Sequence, residues 1–258
     1  MSRRAYASLG AVLCALGVVV VASSSAHREP PSPLGLPEPP PPAFRIPVPR
    51  PLAPDRDLAR WAPVRRATTA RRAPGADQAA VARVDARTPE GTTNIVQVAG
   101  RARRAGGRLW VRARLAVLPN GTSGWVPRRS LGGYTQVRTR LLVERRALRA
   151  RLFRGGHVVL TAPIGIGTDE HPTPVGRFYV RNRLTSYRSP AYGPLAFGTS
   201  ARSPVLTDWP AGGYVGIHGT DRPERLPGRV SHGCVRMRNA DIRRLGRLMP
   251  VGTPVIVR

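Results

Sequence analysis

The sequence contains no lysine, and this absence changes how its charge is interpreted. All 42 basic residues are arginine, against 14 acidic residues, and the formal net charge is +28. Such a charge suggests an anionic partner, but arginines scattered along the whole chain without any lysine are more typical of a GC-rich genome. There is also no zinc-finger spacing, GxGxxG or RNP-like aromatic run, so no nucleic-acid binding is predicted. Loose attraction to an anionic polymer stays open.

Aromatic residues and cysteines are also scarce. Aromatics make up only 5% of the chain, while Gly 27 and Pro 28 are both high, which favours a loop-rich and mainly β architecture. The two cysteines are Cys14 and Cys234. Cys14 lies in an N-terminal apolar run, so the rest of the chain holds one unpaired thiol. A leftover cysteine of this kind either pairs between molecules or reacts.

The N-terminus has the features of an export signal. Arg3 and Arg4 precede an uncharged run over residues 5–22, and small residues at 23–26 are suited to cleavage. The run is also marginal for a membrane span, so residues 1–26 are predicted to be a signal peptide or a membrane anchor. Either alternative places the remaining chain outside the cytoplasm, in the cell envelope or secreted.

Composition then divides the chain into three further segments. Residues 27–75 are rich in proline and predict a disordered, extended linker. Residues 76–132 contain period-two alternation around Val111 and a turn signal at 119–121, which predicts short strands. The stretch LWVRARLAVLPNGTSGWVPRRSL resembles small bacterial SH3-like β-barrel modules, although a β extension of the next domain is an alternative. Residues 133–258 form the last domain.

The last domain is predicted to be β-rich with one helix. Alternation from Leu148 to Leu152, followed by Gly155-Gly156, predicts a hairpin that ends near residue 161. Residues 177–180 and 254–257 are predicted strands. A helix is predicted over residues 239–249, capped by Asn239, with Ile242, Leu245, Leu248 and Met249 on one face.

The segment YVGIHGTDRPERLPGRVSHGCVR carries the candidate chemistry. Because a thiol is mostly protonated at neutral pH, Cys234 needs a base, and His218 and His232 are both available. His218 is distant in sequence, as is common for a Cys–His pair brought together by folding. Gly233 allows close approach of the backbone, whose N–H groups could hold an oxyanion. A zinc site formed by His218, His232 and Cys234 and an inert, buried cysteine are the alternatives.

The motifs IHGT and SHGCVRM resemble the signature of the L,D-transpeptidase catalytic domain, also called the YkuD domain. IGIGTDEHPTPVGRFYV and NADIRRL are similar to further segments of that family, and together the resemblance covers about residues 133–258. It implies a YkuD-type mixed β-sandwich. It also implies that Cys234 is the nucleophile, that His218 is the base, and that the backbone carbonyl of Gly219 completes the catalytic set.

The resemblance extends to the residues around the nucleophile. Ser231, His232 and Gly233 match its approach, with the N–H groups of Gly233 and Cys234 lining the oxyanion hole. Arg236 is implied to hold a substrate carboxylate. Tyr214 and Thr220 are candidate cleft residues.

The implied reaction is a two-step acyl transfer on peptidoglycan. Donor and acceptor are stem peptides, the donor is a tetrapeptide, and the product is a 3→3 cross-link. The resemblance also implies covalent inhibition by carbapenem-type β-lactams, with no cofactor or metal. An L,D-carboxypeptidase that trims tetrapeptides and a non-catalytic cell-wall-binding protein are the alternatives.

Overall fold

β-strands are the main secondary structure of the described chain. A computed structural model describes residues 58–100, 102–185, 189–206 and 213–258, which all belong to one unit, Pro51–Arg258. The mainly β fold class predicted from the sequence is confirmed. The predicted export signal, Cys14 and the linker as far as residue 57 lie outside these ranges. No helix within them is long and apolar enough to cross a membrane.

The N-terminal part of the described chain forms a first, antiparallel sheet. Its strands are β1 (Ala59–Pro63), β2 (Thr68–Arg71), β3 (Ala80–Val84), β4 (Ile95–Val98), β5 (Arg103–Ala105), β6 (Arg108–Arg114), β7 (Ser123–Pro127) and β8 (Thr135–Val137). Their order is β3-β2-β7-β6-β4-β1-β8, and β5 also pairs with β6. The predicted turn at 119–121 lies between β6 and β7. Val111, Ala113 and Val126 are buried in a separate core beneath this sheet.

β1 and β2 correct the predicted extent of the linker. The sequence predicted linker up to residue 75, whereas the first sheet already begins at Ala59. β1 lies between β4 and β8 and buries Ala62 completely. Its Pro63 is the last residue of the strand, where a missing N–H disturbs the ladder least. The resemblance of this region to SH3-like modules stays a prediction.

The second sheet is mixed and comprises the C-terminal part. Its strands are β9 (Thr139–Glu144), β10 (Arg149–Arg154), β11 (His157–Pro163), β12 (Gly165–Gly167), β13 (Gly176–Thr185), β14 (Leu195–Arg202), β15 (Tyr214–His218), β16 (Gly228–Ser231), β17 (Val235–Arg236) and β18 (Pro254–Val257). Their order is β11-β10-β9-β18-β13-β14-β15-β17-β12-β16. The β9–β18, β15–β17 and β12–β16 pairs are parallel. The predicted hairpin is β10–β11, and both further predicted strands are present as parts of β13 and β18.

The predicted helix is α1 (Asn239–Leu248), which closes one side of the core. Ile242 and Leu245 are fully buried there with Met249, and Leu248 packs against the same cluster, as the sequence predicted. The predicted cap is wrong: Arg238 occupies the N-cap position without a side-chain bond, and Asn239 is already helical. The side chain of Asn239 has a different partner, near the functional site.

A buried ion pair joins the two sheets. Glu90, between β3 and β4, accepts hydrogen bonds from Nη2 of Arg181 on β13 at 2.8 and 3.1 Å. The Arg181 and Glu90 side chains are only 1% and 6% exposed. Asn182 also donates to Glu90, at 3.0 Å. The Arg181 guanidinium carbon lies 3.7 Å from the centroid of the Tyr214 ring. Since a buried charge requires a partner, Arg181 depends on a residue of the first sheet.

Two further contacts attach the first sheet to the strands that carry the site. The Tyr214 hydroxyl, at the start of β15, donates to the carbonyl of Ala116 at 3.1 Å. The Asn120 side chain donates to the carbonyl of Arg202 at 2.7 Å and accepts from its N–H at 3.0 Å. The end of β14 and the start of β15 are therefore both fixed by the turn region between β6 and β7.

Candidate active site

Two adjacent strands position the predicted catalytic residues. β15 ends at His218, and β17 begins directly after Cys234. The strands run parallel, with His218 opposite Arg236. This register places Cys234 beside Gly216, whose N–H donates to Sγ of Cys234 at 3.3 Å.

His218 and Cys234 line one cavity of about 280 Å³. A Cβ at Gly216 would lie 3.9 Å from both Cys234 Sγ and His218 Cδ2, so the two side chains approach the same point. The glycine at position 216 leaves this space free of any side chain. The fold therefore brings together the thiol and the distant imidazole that the sequence had paired.

His218 is oriented by the residue that follows it. Its Nδ1 lies 2.6 Å from the carbonyl oxygen of Gly219. Because a carbonyl only accepts, Nδ1 carries the proton and Nε2 is left as an acceptor. Burial of the ring, which is 4% exposed, lowers the pKa of His218 to about 4, and the charge of Arg236 acts in the same direction. The imidazole is therefore neutral at neutral pH.

This burial predicts a loss of stability in acid. In the unfolded chain, His218 takes up a proton near its ordinary pKa of about 6.5. In the folded protein it does so only near pH 4. The contribution of His218 to folding stability is therefore fully present above pH ~6.5. It is lost as the pH drops towards 4, by about 3 kcal/mol. We expect a His218→Gln variant to lose less free energy of unfolding over this window than the wild type, by about that amount, in urea titrations. Equal pH slopes for both proteins would contradict this prediction.

The Cys234 side chain is half-buried at the cavity wall. Burial raises the pKa of the Cys234 thiol, whereas the Gly216 N–H and the charge of Arg236 lower it, and the net direction is upward. A thiol with a raised pKa is protonated at neutral pH. The resting pair thus consists of a neutral thiol and a neutral imidazole, and a thiolate requires proton transfer to a base such as Nε2 of His218.

Hydrogen bonds within the chain fix the turn before Cys234. Ser231 Oγ donates to the carbonyl of Cys234 at 2.6 Å and accepts from the N–H of Gly233 at 3.1 Å. The Thr173 hydroxyl donates to the carbonyl of Gly233 at 2.8 Å. The Gly233 N–H is thus engaged inside the turn, which corrects the prediction that it faces an oxyanion. The oxyanion role of the Cys234 N–H stays a prediction.

Thr220 is buried and does not line the cavity. Its N–H donates to Oδ1 of Asn239 at 3.0 Å, and its hydroxyl accepts from the N–H of Arg222 at 3.1 Å. Thr220 therefore shapes the loop after His218, which corrects its prediction as a cleft residue. Gly219 has no room for a side chain, because a Cβ would lie 2.3 Å from Oδ1 of Asn239. Asn239 thus packs against the residue whose carbonyl orients the imidazole.

Tyr214, which was predicted as a cleft residue, lines the cavity together with His232 and Arg236. The Tyr214 hydroxyl is bound to the carbonyl of Ala116 and is therefore not free to contact a ligand. His232 is exposed, and its ring meets the His171 ring edge-on at 5.1 Å. Nε of Arg236 is buried without a hydrogen-bond partner among the described residues. Arg236 therefore combines an unpartnered donor with a position at the cavity wall.

A zinc site was the chemical alternative that the sequence left open. The Nδ1 of His218 is taken up by Gly219, which leaves one ring nitrogen for any metal. In the described ranges, no group of three or more His, Cys, Asp or Glu side chains is arranged to hold a metal ion. The residues at this cavity therefore fit a Cys–His pair better than a metal centre.

Comparison with known proteins agrees with this geometry. The model of the YkuD family, described as the L,D-transpeptidase catalytic domain, matches residues 138–257, a range that includes both His218 and Cys234. The chain carries an L,D-transpeptidase catalytic domain. The family resemblance seen in the sequence motifs is thereby confirmed.

Curated relatives of the L,D-transpeptidase domain match the same part of the chain. A putative L,D-transpeptidase YkuD of Bacillus licheniformis is 31% identical over 46% of this chain and 64% of its own length. The probable L,D-transpeptidase YbiS of Escherichia coli is 35% identical over 40% of this chain and 38% of its own length. The chain thus spans less than two thirds of either relative. The solved catalytic domain of an Enterococcus faecium L,D-transpeptidase is 28% identical over 46% of this chain and 96% of that chain, with a TM-score of 0.36.

Three residues at the candidate site, Thr173, Tyr192 and Asn239, were not predicted from the sequence as site residues. The Tyr192 ring lies 4.7 Å from the His218 ring, centroid to centroid, and forms a cavity wall. Thr173 joins the Gly167 N–H to the Gly233 carbonyl through one hydroxyl. Thr173 lies in the segment that resembles the family, so a signal existed for it. Asn239 also lies in such a segment, whereas Tyr192 had no signal, because its contact with His218 arises only from the tertiary fold.

Proposed function

We propose that this protein is a peptidoglycan L,D-transpeptidase that forms 3→3 cross-links through a thioester on Cys234. The observation that carries the proposal is the bond of His218 Nδ1 to the Gly219 carbonyl. It leaves Nε2 as the ring's acceptor, in the cavity that Cys234 also lines. An unpaired, half-buried thiol beside a neutral base is suited to nucleophilic acyl transfer.

In the first step, Sγ of Cys234 attacks the carbonyl between the third residue and the terminal D-residue of a stem tetrapeptide. The thiol proton moves to Nε2 of His218, and the Gly219 carbonyl stabilises the imidazolium that forms. The C–N bond breaks as His218 returns the proton to the leaving amine. The products are a Cys234 thioester and a free D-amino acid.

In the second step, a side-chain amine of a neighbouring stem peptide attacks the thioester. His218 accepts the amine proton, the C–S bond breaks, and the proton returns to Sγ of Cys234. An amide cross-link and the free thiol result. Water as the attacking group would instead give the carboxypeptidase reaction, so exclusion of water from the cavity decides between the two.

Negative charge develops on the substrate carbonyl oxygen in both steps and requires nearby hydrogen-bond donors. We assign stabilisation of the tetrahedral oxyanion to the N–H of Cys234, since that of Gly233 is used in the turn. Arg236 is suited to hold a substrate carboxylate, because its buried Nε lacks a partner in the free protein and a guanidinium can bind a carboxylate through two bonds. A peptidoglycan substrate also implies that the chain works in the cell envelope.

A muropeptide assay tests this proposal. The purified full chain is incubated with tetrapeptide muropeptides, and the products are separated and identified by mass spectrometry. We expect dimers of donor and acceptor with loss of one D-amino acid per cross-link, and none with a Cys234→Ala variant. If tripeptides are the only product, the carboxypeptidase reaction replaces the proposed transferase reaction. Unchanged substrate with folded protein would contradict any acyl transfer and favour a wall-binding role.

A further inference from the structure

A second and larger cavity lies between the two sheets. Its volume is about 640 Å³, and it shares no lining residue with the cavity at Cys234. Its walls come from β1, β4 and β6 on one side and from β9, β13 and β18 on the other. We call it the arginine cavity, after its lining residues Arg60, Arg114, Arg140 and Arg177.

The arginine cavity has a charge of one sign. None of the described residues that line it is acidic. The Arg140 guanidinium lies over the Phe153 ring at 4.2 Å, so the charge argument rests on the other three arginines. Within the described part of the chain, no ion pair engages Arg60, Arg114 or Arg177. Burial and the charges of Arg177 and Arg112 lower the pKa of Arg114, as expected for cations gathered without a counter-charge.

Gln97 adds a neutral donor to the same wall. Its side chain is 7% exposed, and Nε2 is buried without a hydrogen-bond partner among the described residues. A buried donor left without a partner is unfavourable, and folded proteins seldom retain one. Rotation of the side chain towards the cavity would bring this donor to an oxygen atom of a ligand.

We propose that the arginine cavity binds an oligoanion, a ligand with two or more phosphate or carboxylate groups along an extended chain. Arginine forks bind both groups through paired N–H bonds, and several arginines in one cavity favour a ligand with repeated charges. Gln97 then donates to an uncharged or anionic oxygen of the same ligand. This site is separate from the acyl-transfer site and does not depend on the proposed reaction.

Calorimetric titration of the full chain tests the proposal at fixed ionic strength. Tripolyphosphate serves as the first probe, and a glycerol-phosphate oligomer and an oligogalacturonate serve as separate phosphate and carboxylate arms. We expect saturable binding of tripolyphosphate and of at least one polymer, and the tighter arm identifies the anionic group. A Cys234→Ala variant is expected to bind all probes as the wild type does, which keeps this result independent of catalysis.

Variants locate the binding and separate it from the overall positive charge. We expect Arg114→Gln/Arg177→Gln to weaken binding about ten-fold or more, a difference of ~1.4 kcal/mol. The control Arg243→Gln/Arg244→Gln removes the same charge from exposed positions on α1 and is expected to change affinity less than about two-fold. Gln97→Glu, which keeps the side-chain shape and places a carboxylate among arginines, is expected to fold and to lose binding. Equal losses for both arginine pairs, or undiminished binding to Gln97→Glu, would overturn the site.

Discussion

Replacement of His218 by glutamine is expected to slow acylation of Cys234 by about 10³-fold. General-base catalysis contributes about 10²–10⁴-fold, and here the burial that raises the thiol pKa makes a base more necessary. Glutamine fills a similar volume but cannot take the thiol proton. The rate of covalent adduct formation with a carbapenem is measured under single-turnover conditions. The reaction is stopped by rapid quenching and the adduct is quantified by mass spectrometry.

His232→Gln is the matched control for this prediction. His232 lines the same cavity and lies closer to Cys234 in sequence, but it is exposed. We expect its replacement to change the acylation rate by less than about ten-fold, within the range of a residue that only contacts substrate. A larger loss for His232→Gln than for His218→Gln would assign the base to the other histidine and contradict the mechanism proposed above.

Glu90→Ala is expected to destabilise the protein by about 3–5 kcal/mol, because it leaves Arg181 buried without its counter-charge. Arg181 and Glu90 are almost fully shielded from solvent, and Asn182 also loses its acceptor. The free energy of unfolding is measured by urea denaturation at neutral pH.

Asp85→Ala provides the control for the buried ion pair. The Arg83–Asp85 pair belongs to the same region, but its side chains are 75% and 53% exposed. Pairs exposed in this way contribute about 0–1 kcal/mol. Equal effects of both substitutions would show that the Glu90–Arg181 pair does not hold the sheets together. A loss of stability in Glu90→Ala alone would show that the buried pair contributes to the stability of the fold. Its Arg181 also contacts Tyr214, which lines the cavity.

Local patterns in the sequence predicted much of the second sheet and its helix. The alternation of apolar and charged residues and the glycine pair predicted the β10–β11 hairpin. The apolar face of residues 242–249 predicted α1. The Cys234–His218 pair followed from the chemical requirement of a thiol for a base, supported by the family motif. The hairpin and the helix depend on short stretches of chain, where side-chain period and turn residues carry most of the information.

Features that depend on distant residues were not predicted. Glu90 and Arg181 meet across the two sheets, and neither position has a local signal for its partner. Proline density suggested a linker as far as residue 75, but one proline at the end of β1 does not prevent a central strand. Thr220 was predicted as a cleft residue from the family resemblance, whereas its hydrogen bonds hold it in the loop after His218. Asn239 was predicted as a helix cap from its place at the start of the helical pattern, and its contact with that loop exists only in the folded chain.

The first sheet emerges from these contacts as a structural partner of the catalytic domain. Its Glu90 pairs with the Arg181 that stacks on Tyr214, and its Ala116 carbonyl binds the Tyr214 hydroxyl. Asn120 holds the end of β14 through two backbone bonds. Any attempt to express residues 138–257 alone would remove all three partners and expose a buried arginine.

Intact-mass analysis with a carbapenem tests the identity of the nucleophile most directly. The purified full chain is incubated with the inhibitor, and the adduct is then located by peptide mapping. We expect one carbapenem mass per chain, attached to the peptide that contains Cys234, and no adduct on a Cys234→Ala variant with unchanged thermal stability. An adduct on any other residue, or none on the folded wild-type protein, would contradict nucleophilic catalysis by Cys234.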